Sequence, residues 1–277
     1  MTHRILIVDD DPTLQHFTRV VLERAGYTVL SAGNAAAGLE ALACGPVDLA
    51  LLDIRMPGMD GLEMLEELRR TNRRLPVILA TAVSSSSVAV EGLQGQVCDF
   101  ILKPFSAEDL LSAVRTALEL SAAGSSIEIL SARSDWIEFR IPCTLSAVAP
   151  VERLMLQWKA DLPEATKENV TAALREMLQN AIEHGGKSDP RRFVEVACVR
   201  SARMILYRIK DPGEGFSLAS LGHAAITHED PTGHQRVRDE AGMRAGGFGI
   251  LIARQMVDEM IYNERRNEVI LIKYLSK

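Results

Sequence analysis

Asp9, Asp10, Asp53, Thr81 and Lys103 could carry phosphoryl chemistry if the fold brought them together. Three neighbouring carboxylates repel one another unless a cation neutralises them. Hard oxygen ligands of this kind suit Mg²⁺. A lysine and a hydroxyl beside a carboxylate suit the oxygens of a phosphoryl group. A second set lies in "LREMLQNAIEHGG", residues 174–186. Leu174, Met177, Leu178 and Ala181 make an apolar stripe at helical spacing, and Glu176, Asn180 and His184 run beside it in a file. Polar groups along a buried edge cost free energy unless they find partners. On an arbitrary helix such a file is a solvated edge. Here "DPGEGF" (211–216) and "GGFGI" (246–250) follow it. Glycines let backbone approach a ligand closely, and a helix N-terminus offers free N–H groups to phosphates.

The first set needs elements that end together. Residues 1–120 alternate apolar runs (5–8, 27–32, 47–53, 76–81, 99–104) with segments of helical period such as 62–70 and 107–120. That pattern predicts an α/β fold with a doubly wound, five-stranded parallel sheet. In such a sheet functional groups gather at the carboxyl ends of the strands. Asp9 and Asp10 end the first strand, Asp53 the third and Thr81 the fourth, and Lys103 closes the fifth. "SAAGSS" (121–126) is small and polar and reads as a linker.

Residues 127–277 read as a second, α+β domain. Two strands flank a polar turn in "IEILSARSDWIEFRI", and helices follow over about 146–160 and 163–184. Strands over 192–201 and 204–211 come next, then a polar stretch of about 217–246. A helix over 248–261 and a strand over 268–275 complete the pattern.

The chain of 277 residues carries a net charge of −6, with 47% hydrophobic and 25% charged residues. This balance suits a globular protein and argues against nucleic-acid or anionic-membrane binding. No apolar run reaches the roughly 18 residues of a membrane span. The N-terminus enters an acidic motif at once, so a secretory signal is not expected and a cytoplasmic location is. Cys44, Cys98, Cys143 and Cys198 are far apart and form no CxxC pair, as expected of reduced thiols.

"ILIVDDDP", "LLDIRMPGMDGLE", "ILAT" and "FILKPF" resemble the response-regulator receiver family over residues 1–120. The resemblance implies that Asp53 accepts a phosphoryl group and that Asp10 and Asp53 hold Mg²⁺ with Asp9 assisting. Thr81 and Lys103 would contact the acyl phosphate, and Phe100 takes the place of the family's aromatic switch. Gln96-Val97 stands where many members carry Gly-Ala.

The second half resembles the GHKL-type ATPase domain shared by histidine kinases, gyrase-type ATPases and Hsp90. By that resemblance Asn180 coordinates the Mg²⁺ of bound ATP and Glu176 is the general base. Asp211 hydrogen-bonds the adenine amino group. Gly213 and Gly215 shape the adenine side, Gly247 and Gly249 the phosphate side, and residues 217–246 form a lid. "ExxxNAxEHG" together with "IEFRIPCTLSAVAPVERLM" is similar to the anti-sigma-factor serine kinases, with "VDEMIY" (257–262) as their last helix. Asn267-Glu268 departs from that family's Gly-Thr. His184 is structural or near the nucleotide rather than a phosphoacceptor. His223, His228 and His234 are too irregularly spaced for zinc, and Arg236, Arg238 and Arg244 read as lid charges.

The implied function is a response regulator with a serine/threonine kinase output, its partners an upstream histidine kinase and a STAS-domain anti-sigma antagonist or a sigma factor. A homodimer is compatible with this. Two alternatives stay open: a non-catalytic, ATP-gated module that sequesters a sigma factor or its antagonist, or an ATPase domain that phosphorylates histidine on another protein.

Overall fold

The computed structural model describes residues 2–71, 74–82, 85–124, 126–216 and 249–275. They cluster into two compact units, residues 1–126 with 149–160 and residues 127–148 with 161–277.

In the first unit the apolar runs become β1 (Arg4–Val8), β2 (Thr28–Ala32), β3 (Leu49–Asp53), β4 (Val77–Thr81) and β5 (Asp99–Leu102). They pair in parallel in the order β2-β1-β3-β4-β5. Every residue of β3 and of β4 is buried. That is the signature of a sheet covered on both faces, and it explains why these strands read as continuous apolar runs. Ile5, Ile7, Leu51, Ile78 and Ile101 pack with Leu110, Ala113, Val114 and Ala117 of α5 (Ala107–Ala122). Each such branched side chain contributes about 1.5–3 kcal/mol.

Helix starts are set by local chemistry. Asp11 caps α1 (Pro12–Arg24) by accepting from Thr13 and Leu14 N–H, with proline at the start of the helix where no N–H is missed. Asn34 caps α2 (Ala35–Ala43) and Ser85 caps α4 (Ser86–Gln94). α3 (Gly61–Thr71) lies between them in sequence. Ser106 and Asp109 form a capping box at α5, which runs to Ala122 and so takes in the first residues of the small, polar 121–126 stretch. Gln96, where many receivers have glycine, takes a left-handed φ of 55°. Its carbonyl accepts from Arg69, as does that of Gly95. α6 (Val148–Trp158) contributes residues 149–158 to this unit, and its Arg153 donates from two nitrogens to the buried Asp99 carboxylate.

The second unit holds β6 (Glu128–Ala132), β7 (Trp136–Pro142), β8 (Phe193–Arg200), β9 (Met204–Lys210), β10 (Glu259–Tyr262) and β11 (Glu268–Tyr274). The sheet is antiparallel, in the order β10-β11-β9-β8-β7-β6. Alternate residues Ile137, Phe139, Ile141, Val194, Val196, Ile205, Tyr207 and Ile209 are buried. α7 (Glu164–Asn180) and α8 (Gly249–Met256) pack on one another, and α7 also meets β9.

Two expectations are corrected here. The helix expected over 248–261 ends at Met256, and residues 259–262 form β10 instead. A short apolar run does not distinguish helix from strand by its period. Pairing with β11 decides it, helped by Asp258, whose carboxylate accepts from Tyr274 N–H and Lys273. The helix expected to run regularly to residue 184 widens into a π-helical turn over Ala181–Gly185, with Gly186 N–H donating to Ala181 O at 2.8 Å. The file of side chains therefore ends at Asn180, and His184 is exposed.

Candidate functional sites

β1 and β3 are neighbours, as are β3 with β4 and β4 with β5, so the predicted strand-end residues converge. Ligand oxygens of Asp9, Asp10 and Asp53 all lie within 4.8 Å of one another. Asp9 and Asp53 are buried and Asp10 is exposed. Lys103 Nζ lies 2.7 Å from Asp9 Oδ2 and 2.9 Å from Asp53 Oδ1. Thr81 is 2% exposed at the end of β4, and its carbonyl accepts from Lys103 N–H at 2.7 Å. Gln15 Nε2 on α1 donates to the carbonyls of Asp9 and Ala32, tying the ends of β1 and β2.

Burial pushes the Asp53 carboxyl above its ordinary range, the Lys103 ammonium pulls it back and the Asp9 charge raises it further. Mg²⁺ prefers oxygen donors at about 2.0–2.1 Å. Three carboxylates meeting in so small a space fit that ion, Asp10 from the solvent side. Phe100 is buried against Gly92, where a Cβ would overlap its ring.

In the second unit the predicted residues gather from α7, the end of β9 and the start of α8. Glu176 and Asn180 lie one turn apart on α7. A Cβ at Gly249, the first residue of α8, would come 2.7 Å from Glu176 Oε2 and 3.3 Å from Asn180 Nδ2. The glycine thus lets the start of α8 close on the acid and the amide. Such a junction of helix N-terminus, carboxylate and amide suits a phosphate group and its divalent cation.

Asp211 follows β9, and its N–H donates to Asn267 O at 2.9 Å. Its Oδ1 accepts from Gly213 N–H at 2.7 Å. Burial raises this carboxyl, while the Gly213 N–H and the Arg192 charge lower it. Gly215 has φ +89°, and a side chain there would meet the Arg265 carbonyl, so glycine is required twice over. Phe216 stands edge-on to Tyr262, with ring centroids 5.7 Å apart. Gly247, the predicted lid 217–246 and the histidines and arginines singled out in it lie outside the described residues.

The sequence reading missed several contributors. A Cβ at Gly185 would overlap the Asp211 carboxylate, and one at Gly186 would overlap Cys143 Sγ. The wide turn at 181–185 brings Gly185 against the end of β9 and Gly186 against the end of β7. Asn267, noted only as a departure, donates from Nδ2 to Gly213 O at 3.2 Å and so holds the glycine loop. "EHGG" carried the glycine signal, while Cys143 and Asn267 had none. All four cysteines are free thiols. No helix among the described residues is long and apolar enough to cross a membrane.

Comparison with known proteins finds two families along the chain. The response regulator receiver domain family matches residues 5–115, and the histidine kinase-like ATPase domain family matches residues 141–273. The uncharacterized transcriptional regulatory protein YkoG of Bacillus subtilis is 43% identical over 114 residues, covering 41% of this chain and 50% of that protein. The regulatory protein AtoC of Escherichia coli is 30% identical over 210 residues, covering 74% and 45%. The chain thus spans about half the length of these curated relatives. A CheY-like receiver domain protein from Methanospirillum hungatei overlays with a TM-score of 0.44 at 33% identity, over 45% of this chain and 99% of that one.

Proposed function

We propose that this chain, a receiver domain joined in sequence to a histidine-kinase-like ATPase domain, is a response regulator whose output is protein phosphorylation. In the first unit Asp53 is the phosphoacceptor. Its carboxylate oxygen attacks the phosphorus of a phosphohistidine on an upstream histidine kinase or of a small phosphodonor, and the bond to the donor breaks. Lys103, already paired with Asp53, and Thr81 at the end of β4 receive the oxygens of the transferred group. Mg²⁺ held by Asp9, Asp10 and Asp53 would supply the positive charge that three converging carboxylates need. In the second unit ATP is the substrate, its adenine read by Asp211 and its phosphates lying at the start of α8 with Asn180 on the accompanying metal.

A Ser or Thr hydroxyl of a partner attacks the γ-phosphorus, Glu176 takes the hydroxyl proton and ADP leaves. Catalysis of this type is mostly positioning and electrostatics. The observation that carries the reading is the fit of Gly249 against both Glu176 and Asn180, which lets the start of α8 come close to an acid and an amide. The "ExxxNAxEHG" file favours serine or threonine over histidine as acceptor, and a STAS-domain anti-sigma antagonist as the protein that bears it.

The test is to incubate the full chain with Mg-ATP and candidate STAS-domain proteins, with Asp53 phosphorylated or not, and to map phosphosites by mass spectrometry. Phosphoserine or phosphothreonine on a STAS protein, lost with Glu176→Ala, is the expected result. Its absence in both states of Asp53 would end the serine-kinase reading.

A further inference from the structure

Two consecutive arginines enter β8, and they do different things. Arg191 is exposed and forks onto Asp189 through Nε and Nη2, each at 3.0 Å. Arg192 is half-buried and turns the other way, donating from Nη2 to the carbonyl of Pro212. Pro212 lies between Asp211 and Gly213, two of the residues read for the purine side. The turn that aims Arg192 there is tightly built. Lys187 and Ser188 take left-handed φ values of 58° and 52°, Arg192 N–H donates to Asp189 O at 2.9 Å, and Arg192 O accepts from Cys143 N–H at 2.8 Å.

We propose that Arg192 is a positioning residue of the nucleotide site, fixing the loop that carries Asp211 through the Pro212 carbonyl and adding a positive charge that favours Asp211 as a strong acceptor for a purine amino group. The proposal rests on the nucleotide reading above and goes beyond it by naming a residue outside the binding motifs. Among the described residues, the Gly213 N–H bonds the Asp211 carboxylate at 2.7 Å, and the Arg192 guanidinium and the Cys143 thiol act on it electrostatically. Burial pushes that thiol up to about 11, so it is neutral at physiological pH. Among these neighbours Arg192 is the full positive charge. An ionised Asp211 accepts from an amino group more strongly than the neutral acid does, and burial works against the ionised state. The fork matters as well as the charge, because the Pro212 contact sets where the loop stands. Lysine would keep the charge without the planar geometry.

The experiment measures Mg-ATP binding to the full chain between pH 5 and 8 for wild type, Arg192→Met and Arg192→Lys, with circular dichroism to establish that each variant is folded. Arg192→Met should weaken binding about tenfold or more, as expected for loss of a hydrogen bond to a charged group. It should also move the low-pH loss of affinity to higher pH. Reading each variant against wild type cancels the titration of ATP itself. Arg192→Lys should keep the wild-type pH midpoint while binding more weakly. This second variant decides the matter if Arg192→Met does not fold. Wild-type affinity and midpoint in Arg192→Met, or in Arg192→Lys a midpoint displaced from wild type or an undiminished affinity, would overturn the proposal while leaving the nucleotide reading intact. A wild-type chain that binds no Mg-ATP would overturn both.

Discussion

The acidic site of the first unit is built from side chains; the site on α7 and β9 is built as much from their omission. At the strand ends Asp9, Asp53 and Lys103 already form a closed set of ion pairs, at 2.7 and 2.9 Å, before any ligand arrives. In the second unit Gly249 clears the approach of α8 to Glu176 and Asn180, and Gly185 clears the approach of the π-helical turn to Asp211. The difference follows from what each site is proposed to hold. A phosphoryl group is small and joins a carboxylate covalently, so a few charged groups suffice. A nucleotide is long and must slide between elements, so backbone has to come close along its length.

The largest effect expected from this contrast is all-or-none. Asp53→Asn should abolish acid-labile phosphate incorporation from a small phosphodonor, measured on the full chain with Mg²⁺. Incorporation that survives the substitution, or that is acid-stable, would contradict the assignment. The same variant should still bind Mg-ATP through the second unit.

Next in size is a separation within the second site. Glu176→Ala should lower phosphoryl transfer ~10²–10⁴-fold, the usual worth of a general base, with ATP affinity nearly unchanged. Asn180→Ala should instead remove the metal-dependent part of ATP binding. Titration of each variant with nucleotide, with and without Mg²⁺, distinguishes the two. Equal loss of binding in both would mean that they share one structural role.

Smaller, and aimed at the omitted side chains, are Gly249→Ala and Gly185→Ala. Forcing a methyl group into a packed site typically costs about 1–3 kcal/mol. Thermal melts should show that loss, and ATP affinity should fall with it. Phosphorylation of Asp53 should be untouched in both variants. If the added methyl groups leave ATP binding at the wild-type level, the close approach at these glycines does not serve the nucleotide.

How much of this was readable beforehand depended on distance along the chain. The five-stranded sheet was legible because each strand announces itself by a continuous apolar run, and the acidic site because its residues stand at the ends of those runs. Glu176 and Asn180 stood out as a file by their spacing, and only the glycine segments that follow them made the file a candidate site. Arg192, Cys143 and Asn267 were not legible, since their roles come from Pro212, Gly186 and Gly213, which lie 20 to 54 residues away. β10 was misread because "EMIY" looks like the tail of the helix before it until β11 pairs with it. The π-helical turn had no signal beyond "GG". Propensity alone would have ended a regular helix there.

The smallest prediction concerns pH and tests the side-chain-built site on its own. Burial holds the Asp53 carboxyl above its ordinary value of 3.8, with Lys103 pulling it down only in part. The folded chain therefore keeps the Asp53 proton to higher pH than the unfolded chain does. Between 3.8 and the raised value the folded state binds more protons, so this group's contribution to stability falls as pH rises through that window. Above that window the buried carboxylate is a net cost, increased by its neighbour Asp9. Asp53→Asn removes the charge and keeps the shape. In EDTA and without nucleotide, the variant should melt higher than wild type at pH 7 by a few degrees, the scale of about 1 kcal/mol in a domain of this size. The gap should close as pH falls and wild-type Asp53 takes up its proton. Mg²⁺ should also close it by raising the wild-type transition, since an ion that binds only the folded state stabilises it. The asparagine variant, one carboxylate short, should respond less. If it melts below wild type at pH 7, or the gap ignores both pH and Mg²⁺, the strand-end carboxylates do not form the crowded, cation-seeking cluster that their geometry describes.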